Sequence, residues 1–224
     1  MTETPSVIGV LLAGGQARRM GGGDKCLRSL GGRAILDHVI TRAQGQVAAL
    51  VLNANGDARR FARFGLPVTP DVIGGFAGPL AGVLTGMEWA RDRRPDCQWI
   101  ATFATDTPFF PRDLVARMVD HVRDADMVCA RSAGHSHPVF GLWPVRLASD
   151  LRHAMADEDI RKVDIWTARY RLAEVEYPTT PFDPFFNANN PEDLKRAEHY
   201  LAELIDPEGT AMAGETTAGG AGKT

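Results

Sequence analysis

From Leu12 to Lys25 the chain reads Leu-Ala-Gly-Gly-Gln-Ala-Arg-Arg-Met-Gly-Gly-Gly-Asp-Lys, a segment with the parts needed to bind a triphosphate. Glycines let a backbone approach phosphate oxygens and turn its N–H groups toward them, while arginine and lysine answer the charge with charge-assisted hydrogen bonds. Between Gly14 and Arg28 the cations Arg18, Arg19, Lys25 and Arg28 face the single acid Asp24, in a chain whose formal net charge is −3. That overall balance gives no general pull toward nucleic acid or an anionic membrane, so a basic site must be local. A glycine-rich surface loop with solvated arginines would share this composition. Here, however, an apolar run over residues 6–13 empties directly into the loop. Two common phosphate motifs do not fit. There is no G-x-G-x-x-G, and Lys25 lies between Asp24 and Cys26 instead of between Gly and Ser/Thr. Near the other terminus Gly219-Gly-Ala-Gly222-Lys223-Thr224 imitates the end of a P-loop, but Thr217 stands where its first glycine is required.

Asp106 stands where the apolar residues 100–104 give way to Thr105-Asp106-Thr107-Pro108. A carboxylate at a strand end beside a phosphate loop suits Mg²⁺, which prefers oxygen ligands and bridges one or two carboxylates to substrate phosphates. An aspartate opening a turn ahead of Pro108 is the plain alternative. Asn53, at the end of the apolar residues 47–53, and Asp71, after Pro70, are by type ordinary turn residues. Asn187 and Asn189 precede Asn190-Pro191-Glu192-Asp193, a helix start that could by itself account for the asparagines. His135 and His137 have no third ligand at a spacing that suits zinc. Cys26, Cys97 and Cys129 are odd in number and far apart, which argues against a disulfide framework and for a reducing compartment. Cys26 adjoins Lys25 and is either a reactive thiol or a small buried side chain.

These residues need elements to position them. The nearly continuous apolar run at 6–13 suits a strand buried on both faces of a parallel sheet, and no basic segment before it marks a signal peptide. A helix near 34–43, a strand at 47–53, a short helix at 57–64 and a strand at 66–71 follow. Residues 74–79 form a loop, and Pro79 opens a helix with Leu80, Val83, Leu84 and Met87 on one face. The alternation continues with a strand at 98–105, a helix from Pro111 through residue 122 with Leu114, Val115, Met118 and Val119 inward, and a strand at 127–131. Past His137 the pattern reads as a strand at 138–143, helices at 145–156 and 160–168 and a strand at 171–177, which together shape a second pocket; Phe140 and Trp143 belong to its wall or to the core. A last helix runs from Asn190 to about residue 205. Beyond it the Gly-, Ala- and Thr-rich tail, residues 206–224, is expected to be disordered. The longest uncharged stretch, residues 72–87, holds Pro79 and five glycines and is too broken to span a membrane. The expected class is therefore α/β, with ligands beyond the carboxyl ends of the strands.

The segment Leu-Ala-Gly-Gly-x-x-Arg-Arg-Met-Gly-Gly-x-Asp-Lys resembles the signature of molybdenum cofactor guanylyltransferases. The resemblance extends through Gly78-Pro-Leu-Ala-Gly82, Asp106-Thr-Pro108, His137-Pro138 and Phe186-Asn-Ala-Asn-Asn-Pro-Glu-Asp-Leu194, covering about residues 6–205. It implies a three-layer α/β/α, Rossmann-like nucleotidyltransferase fold with a mostly parallel twisted sheet. Residues 1–205 would be a single domain, with a nucleotide-binding half at 1–105 and a metal and acceptor half at 106–205. It implies transfer of GMP from GTP to molybdopterin-bound molybdenum cofactor in the cytoplasm, with Mg²⁺, and pyrophosphate as the second product. GTP, molybdopterin, other cofactor-biosynthesis proteins and molybdoenzyme chaperones would be the partners; nucleic acid and membrane would not.

Carried over residue by residue, Leu12, Ala13 and Gly14 would line the nucleotide, Lys25 would hold phosphate oxygens, Asn53 and Asp71 would bind the nucleoside and Asp106 the metal. Arg19, shared across the wider superfamily, and Lys25 would stabilise the leaving pyrophosphate, with His137, Asn187 and Asn189 on the acceptor side. The second metal aspartate of some relatives is replaced here by asparagine in Asn187-Ala-Asn189, so a site with two carboxylates is not implied. A carboxylate such as Asp71 can accept from guanine N1–H and its amine together, a pair cytosine does not offer. A cytidylyl- or sugar-phosphate nucleotidyltransferase and a non-catalytic GTP-binding protein stay open as alternatives. Gly14-Gly15 and the Arg18-Arg19 pair favour the guanylyl branch.

Overall fold

The computed structural model describes residues 6–14, 24–75 and 78–205, so Arg18, Arg19 and the tail lie outside the described residues. In chain order the elements are β1 (Val7–Leu12), a two-stranded hairpin of β2 (Ser29–Leu30) and β3 (Arg33–Ala34), α1 (Ile35–Ala43), β4 (Ala49–Asn53), a 3₁₀ helix (Ala58–Phe64), β5 (Val68–Thr69) and α2 (Pro79–Arg93). They continue with β6 (Trp99–Ala104), α3 (Leu114–Val119), β7 (Met127–Ser132), β8 (His135–Pro144), α4 (Ala148–Ala156), α5 (Val163–Thr167), β9 (Leu172–Glu176) and α6 (Pro191–Ile205).

Seven strands form one sheet in the order β5-β4-β1-β6-β8-β7-β9. All neighbours are parallel except β8, which runs antiparallel to both β6 and β7. The unbroken hydrophobicity of β1 follows from its central place: Val7 and Leu11 enter one core, with α1, α3 and α6, and Ile8 and Val10 the other, with α2, α4 and α5. This is the three-layer α/β/α arrangement with a mostly parallel sheet. Leu12 is in register with Asn53 on one side and Ala104 on the other, so three strands end level and deliver their following residues to one edge.

Helix α2 is buried more widely than a single stripe. Besides Leu80, Val83, Leu84 and Met87, it buries Ala81, Gly82, Thr85 and Gly86. Gly86 is one point of close approach to the sheet: a Cβ there would lie 2.5 Å from Val10 Cγ2 and 3.1 Å from Ile100 Cδ1. Three expected elements come out shorter. The strand at 66–71 shrinks to Val68–Thr69 because the flanking Pro67 and Pro70 have no N–H for a ladder. The helix expected from Pro111 is confined to Leu114–Val119. Its first turn is held from outside, Gln46 Nε2 donating to Pro111 O and Gln46 Oε1 accepting from Val115 N. Past Val119, which is only half buried, the bonds are of the tighter kind, such as His121 N to Met118 O. The helix expected at 160–168 is Val163–Thr167, because Ile160 N is engaged by Ala154 O in the preceding connection.

Strand β8 begins earlier than expected, at His135, and is irregular. Cys129 pairs with Gly141 but the next residue, Ala130, pairs with His137, leaving 138–140 as a bulge. Thr102 Oγ1 donates to Val139 O (2.6 Å) and accepts from Trp143 Nε1 (2.8 Å), fixing the bulge against β6. Gly86→Ala should lower stability by about 1–3 kcal/mol, because the added methyl would press on the fully buried side chains of Val10 and Ile100. Urea unfolding would measure it; an unchanged midpoint would mean that α2 can lift off the sheet freely.

Candidate active site

Where β1, β4 and β6 end, a cavity of about 350 Å³ opens, lined by Leu12, Gly14, Asn53, Asn55, Asp71, Gly78, Pro79, Gly82, Asp106, Val139 and Asn187 among others. Six of the sequence-derived candidates thus line one space: Leu12, Gly14, Asn53, Asp71, Asp106 and Asn187. Ala13 is buried at its edge and its N–H donates to Asn53 O (2.9 Å), tying the end of β1 to that of β4. Thr105 Oγ1 donates to Leu12 O (3.0 Å) and ties β1 to β6. A second cavity of about 360 Å³ lies at the opposite end of β1, by Val7, Gln46 and Arg112. The Gln46 amide there is already engaged by backbone partners.

Lys25 joins the cavity through its partners. Its Nζ lies 3.3 Å from Asp106 Oδ2 and donates also to Asn189 Oδ1. One ammonium thereby links the segment that leads into β2, the β6 end and the segment before α6. That segment is held by Ala188 N donating to Asp106 O (3.0 Å). Asn190 then caps α6, its Oδ1 accepting from Glu192 N and Asp193 N. The capping side chain is therefore that of Asn190, so the cap does not account for the side chains of Asn187 and Asn189. Asn187 Oδ1 is buried with no hydrogen-bond partner among the described residues. An unpaired buried acceptor is costly, so an oxygen left in this state on a residue that lines the cavity with Asp106 suits a cation or a ligand proton. Among the described residues no three His, Cys, Asp or Glu side chains cluster to cage a metal. One carboxylate with amide oxygens fits a hard cation that takes its remaining ligands from water and substrate phosphate.

At the other end of the cavity Asn53 Nδ2 donates to Asp71 Oδ1 (2.9 Å) and Asn55 Nδ2 to Asp71 Oδ2 (2.7 Å), while Asn55 Oδ1 accepts from Asp71 N (2.9 Å). Each carboxylate oxygen keeps acceptor capacity while both are oriented. Gly82 makes room for this group, since a Cβ there would lie 2.5 Å from Asn53 Oδ1 and from Leu12 Cδ2. Sequence reading missed Asn55, although its i, i+2 spacing from Asn53 matches that of Asn187 and Asn189. It also missed Arg60, whose Nε is 2.5 Å from Asp24 Oδ2 and whose other nitrogens donate to the carbonyls of Asn55 and Asp57 (2.6 Å each). Arg60 fastens the residue before Lys25 to the Asn55 turn, and no local pattern announced it.

His137 does not line the cavity. Its Nε2 lies 2.7 Å from Ser132 Oγ and its ring stacks on Phe185. Phe140 and Trp143 are buried in the core. All three cysteines are free and buried. Burial, aided by the negative charge of Asp24, pushes the Cys26 thiol up to about 12 against a hydrogen bond with Thr105 that pulls it down. The buried alternative for Cys26 is thus the one that fits.

Residues 9–171 match the family model of the MobA-like NTP transferase domain. The chain is 58% identical over 203 residues, 90% of its length and 96% of the relative's, to a protein of Bradyrhizobium sp. (strain ORS 278) named molybdenum cofactor guanylyltransferase. Its fold is similar to the crystal structure of molybdopterin-guanine dinucleotide biosynthesis protein A from Archaeoglobus fulgidus, with a TM-score of 0.67, 21% identity, and 88% and 99% of the two chains covered. It is also similar, at a TM-score of 0.61 and 17% identity over 87% of this chain and 98% of the other, to a Mycobacterium tuberculosis protein solved in complex with manganese.

The raised Cys26 pKa gives a testable sign. The folded state favours the neutral thiol, so its contribution to stability is complete below the ordinary value of 9.0 and is lost as pH rises from there toward about 12. Unfolding titrations should show falling stability above pH 9, and Cys26 should resist thiol reagents at pH 8 until the protein unfolds. Rapid labelling of Cys26 in the native protein would contradict the buried assignment.

Proposed function

From the premise that the chain belongs to the MobA-like NTP transferase family, as a nucleotidyltransferase akin to the molybdenum cofactor guanylyltransferases, we propose that it transfers GMP from GTP to molybdopterin carrying molybdenum. The observation that carries this reading is the Lys25–Asp106–Asn189 junction beside the cavity that Asn53 and Asp71 close at the other end. The cavity has a cation beside one end, as a triphosphate requires, and a fixed carboxylate at the other.

GTP would lie across the strand ends, its guanine toward Asp71 and its phosphates toward Lys25. Asp71 accepts from guanine N1–H and the exocyclic amine, with Asn53 and Asn55 holding the carboxylate in place. Lys25 exchanges Asp106 for phosphate oxygens, and Arg19 adds a second positive charge. Asp106, released from Lys25, and Asn187 Oδ1 would then hold a divalent cation, Mg²⁺ in this reading; when bound, it withdraws negative charge from the phosphates. The terminal phosphate of the pterin attacks the α-phosphorus in line. The bond from that phosphorus to the bridging oxygen breaks, pyrophosphate leaves with the electron pair, and a new phosphoanhydride joins GMP to the acceptor. The nucleophile is already an anion, so no strong general base is needed and the protein acts by positioning and charge neutralisation. Asn189, bonded to Lys25, would meet the acceptor. The buried free thiols fit a cytoplasmic, reducing setting.

Incubation with Mg²⁺, molybdopterin and GTP, CTP or ATP in parallel should release pyrophosphate from GTP alone, and only with acceptor present. Release from CTP would make it a cytidylyltransferase; GTP binding with no release would make it a binding protein. Lys25→Ala and Asp106→Ala should each lose about 100-fold or more in turnover while the far-ultraviolet circular dichroism is kept. A near-native rate in either folded variant would remove that residue from the mechanism.

A further inference from the structure

At the β7–β8 hairpin Ser132, His137 and Asp183 meet in a way the proposed reaction leaves unexplained. Ser132 is fully buried, and its Oγ lies 2.7 Å from His137 Nε2 and 2.9 Å from Asp183 Oδ1. The three residue types suggest a hydrolytic triad, but the order is wrong: the hydroxyl sits between imidazole and carboxylate and has no access to a substrate. A serine hydroxyl has one proton. Given to the Asp183 carboxylate, it leaves the oxygen lone pair to accept from His137 Nε2–H, so the three groups form a directed chain. Burial holds the His137 imidazole below its usual pKa, consistent with a neutral ring stacked on Phe185.

Asp183 is where this chain leads somewhere. Its Oδ1 also accepts from Phe185 N (2.9 Å) and its carbonyl accepts from Phe186 N (3.1 Å), so the backbone turn that enters Asn187 is built on this one residue. Phe185 is wedged against Phe140 and Tyr177 as well as His137. At the far end, Asn190 anchors the same segment to α6. Between the two anchors stand Asn187, with its unpaired oxygen, and Asn189, on Lys25.

We propose that Ser132, His137 and Asp183 are positioning residues that hold the 183–190 segment so that the Asn187 oxygen faces the cation site at Asp106. His137 thus acts from behind the segment instead of touching the acceptor. The proposal rests on the reading of Asp106 as the cation carboxylate.

The test is Mn²⁺ binding to the full-length protein with GTP, followed by loss of the free-ion electron paramagnetic resonance signal, alongside GTP affinity without divalent cation. Ser132→Ala and Asp183→Ala should weaken Mn²⁺ binding about 10-fold, in the range found when groups orienting a metal ligand are removed, and leave metal-free GTP affinity unchanged. Asp183→Asn keeps an Oδ1 acceptor and should recover Mn²⁺ affinity to within about threefold of native. If Asp183→Ala does not fold, Ser132→Ala against Asp183→Asn decides the matter. Native Mn²⁺ affinity in a folded Ser132→Ala or Asp183→Ala variant overturns the positioning role, as does an Asp183→Asn variant as impaired as Asp183→Ala. Failure of the native protein to bind Mn²⁺ with GTP overturns the cation reading of Asp106, and the proposal falls with it.

Discussion

The Lys25 ammonium, 3.3 Å from Asp106 Oδ2 and bonded to Asn189, joins parts of the chain 81 and 164 residues apart. Its formation requires three things at once. Lys25 must lie at the carboxyl edge of the sheet, β6 must end level with β1, and the segment before α6 must cross that same edge. The register of Leu12 with Ala104 and the bond from Thr105 to Leu12 O meet the second requirement, and Ala188 on Asp106 O the third. Both side chains of the pair are less than one-fifth exposed, so a charge left alone there would be poorly hydrated. Each charge answers the other. In the proposed reaction a metal triphosphate would offer each a new partner of opposite sign, so the exchange would leave neither uncompensated.

The rest of the molecule serves to hold that edge still. The sheet is covered on both faces by apolar cores, and α2 packs so closely that only glycine fits opposite Val10 and Asn53. Polar side chains do the finer alignment. Asn53 and Asn55 orient Asp71, Arg60 fastens Asp24, and Asp183 and Asn190 bracket the two asparagines opposite Lys25. A site assembled on strand ends with such supports is preorganised, which is how charge neutralisation contributes to a transition state without reorganisation during reaction.

Much of this was legible in the chain, for physical reasons that differ from residue to residue. Continuous apolar runs gave away β1, β4 and β6 because strands buried on both faces have no polar side to alternate with. Pro79 and Asn190 marked helix starts through local backbone chemistry. Asp106 was visible as an acid at a strand end, and its closeness to Lys25 followed from strands ending on one edge. Other features depend on contacts distant in sequence. Gln46 shortens α3 from 65 and 69 residues away, and the bulge that sets Val139 in the cavity wall depends on Thr102, 37 residues before it. Arg60 and Asp183 carry no motif at all; only the folded chain brings them to Asp24 and Ser132. Asn55 is the exception, since its repeat of the Asn-Ala-Asn spacing was in plain view.

The most direct test is a crystal structure of the protein with a non-hydrolysable GTP analogue and Mn²⁺. Guanine should lie against Asp71, Lys25 should have turned from Asp106 to the phosphates, and the metal should sit at Asp106 with Asn187 in its shell or bonded to its water. An intact Lys25–Asp106 pair with the nucleotide bound elsewhere, or a metal coordinated away from Asp106, would contradict the account.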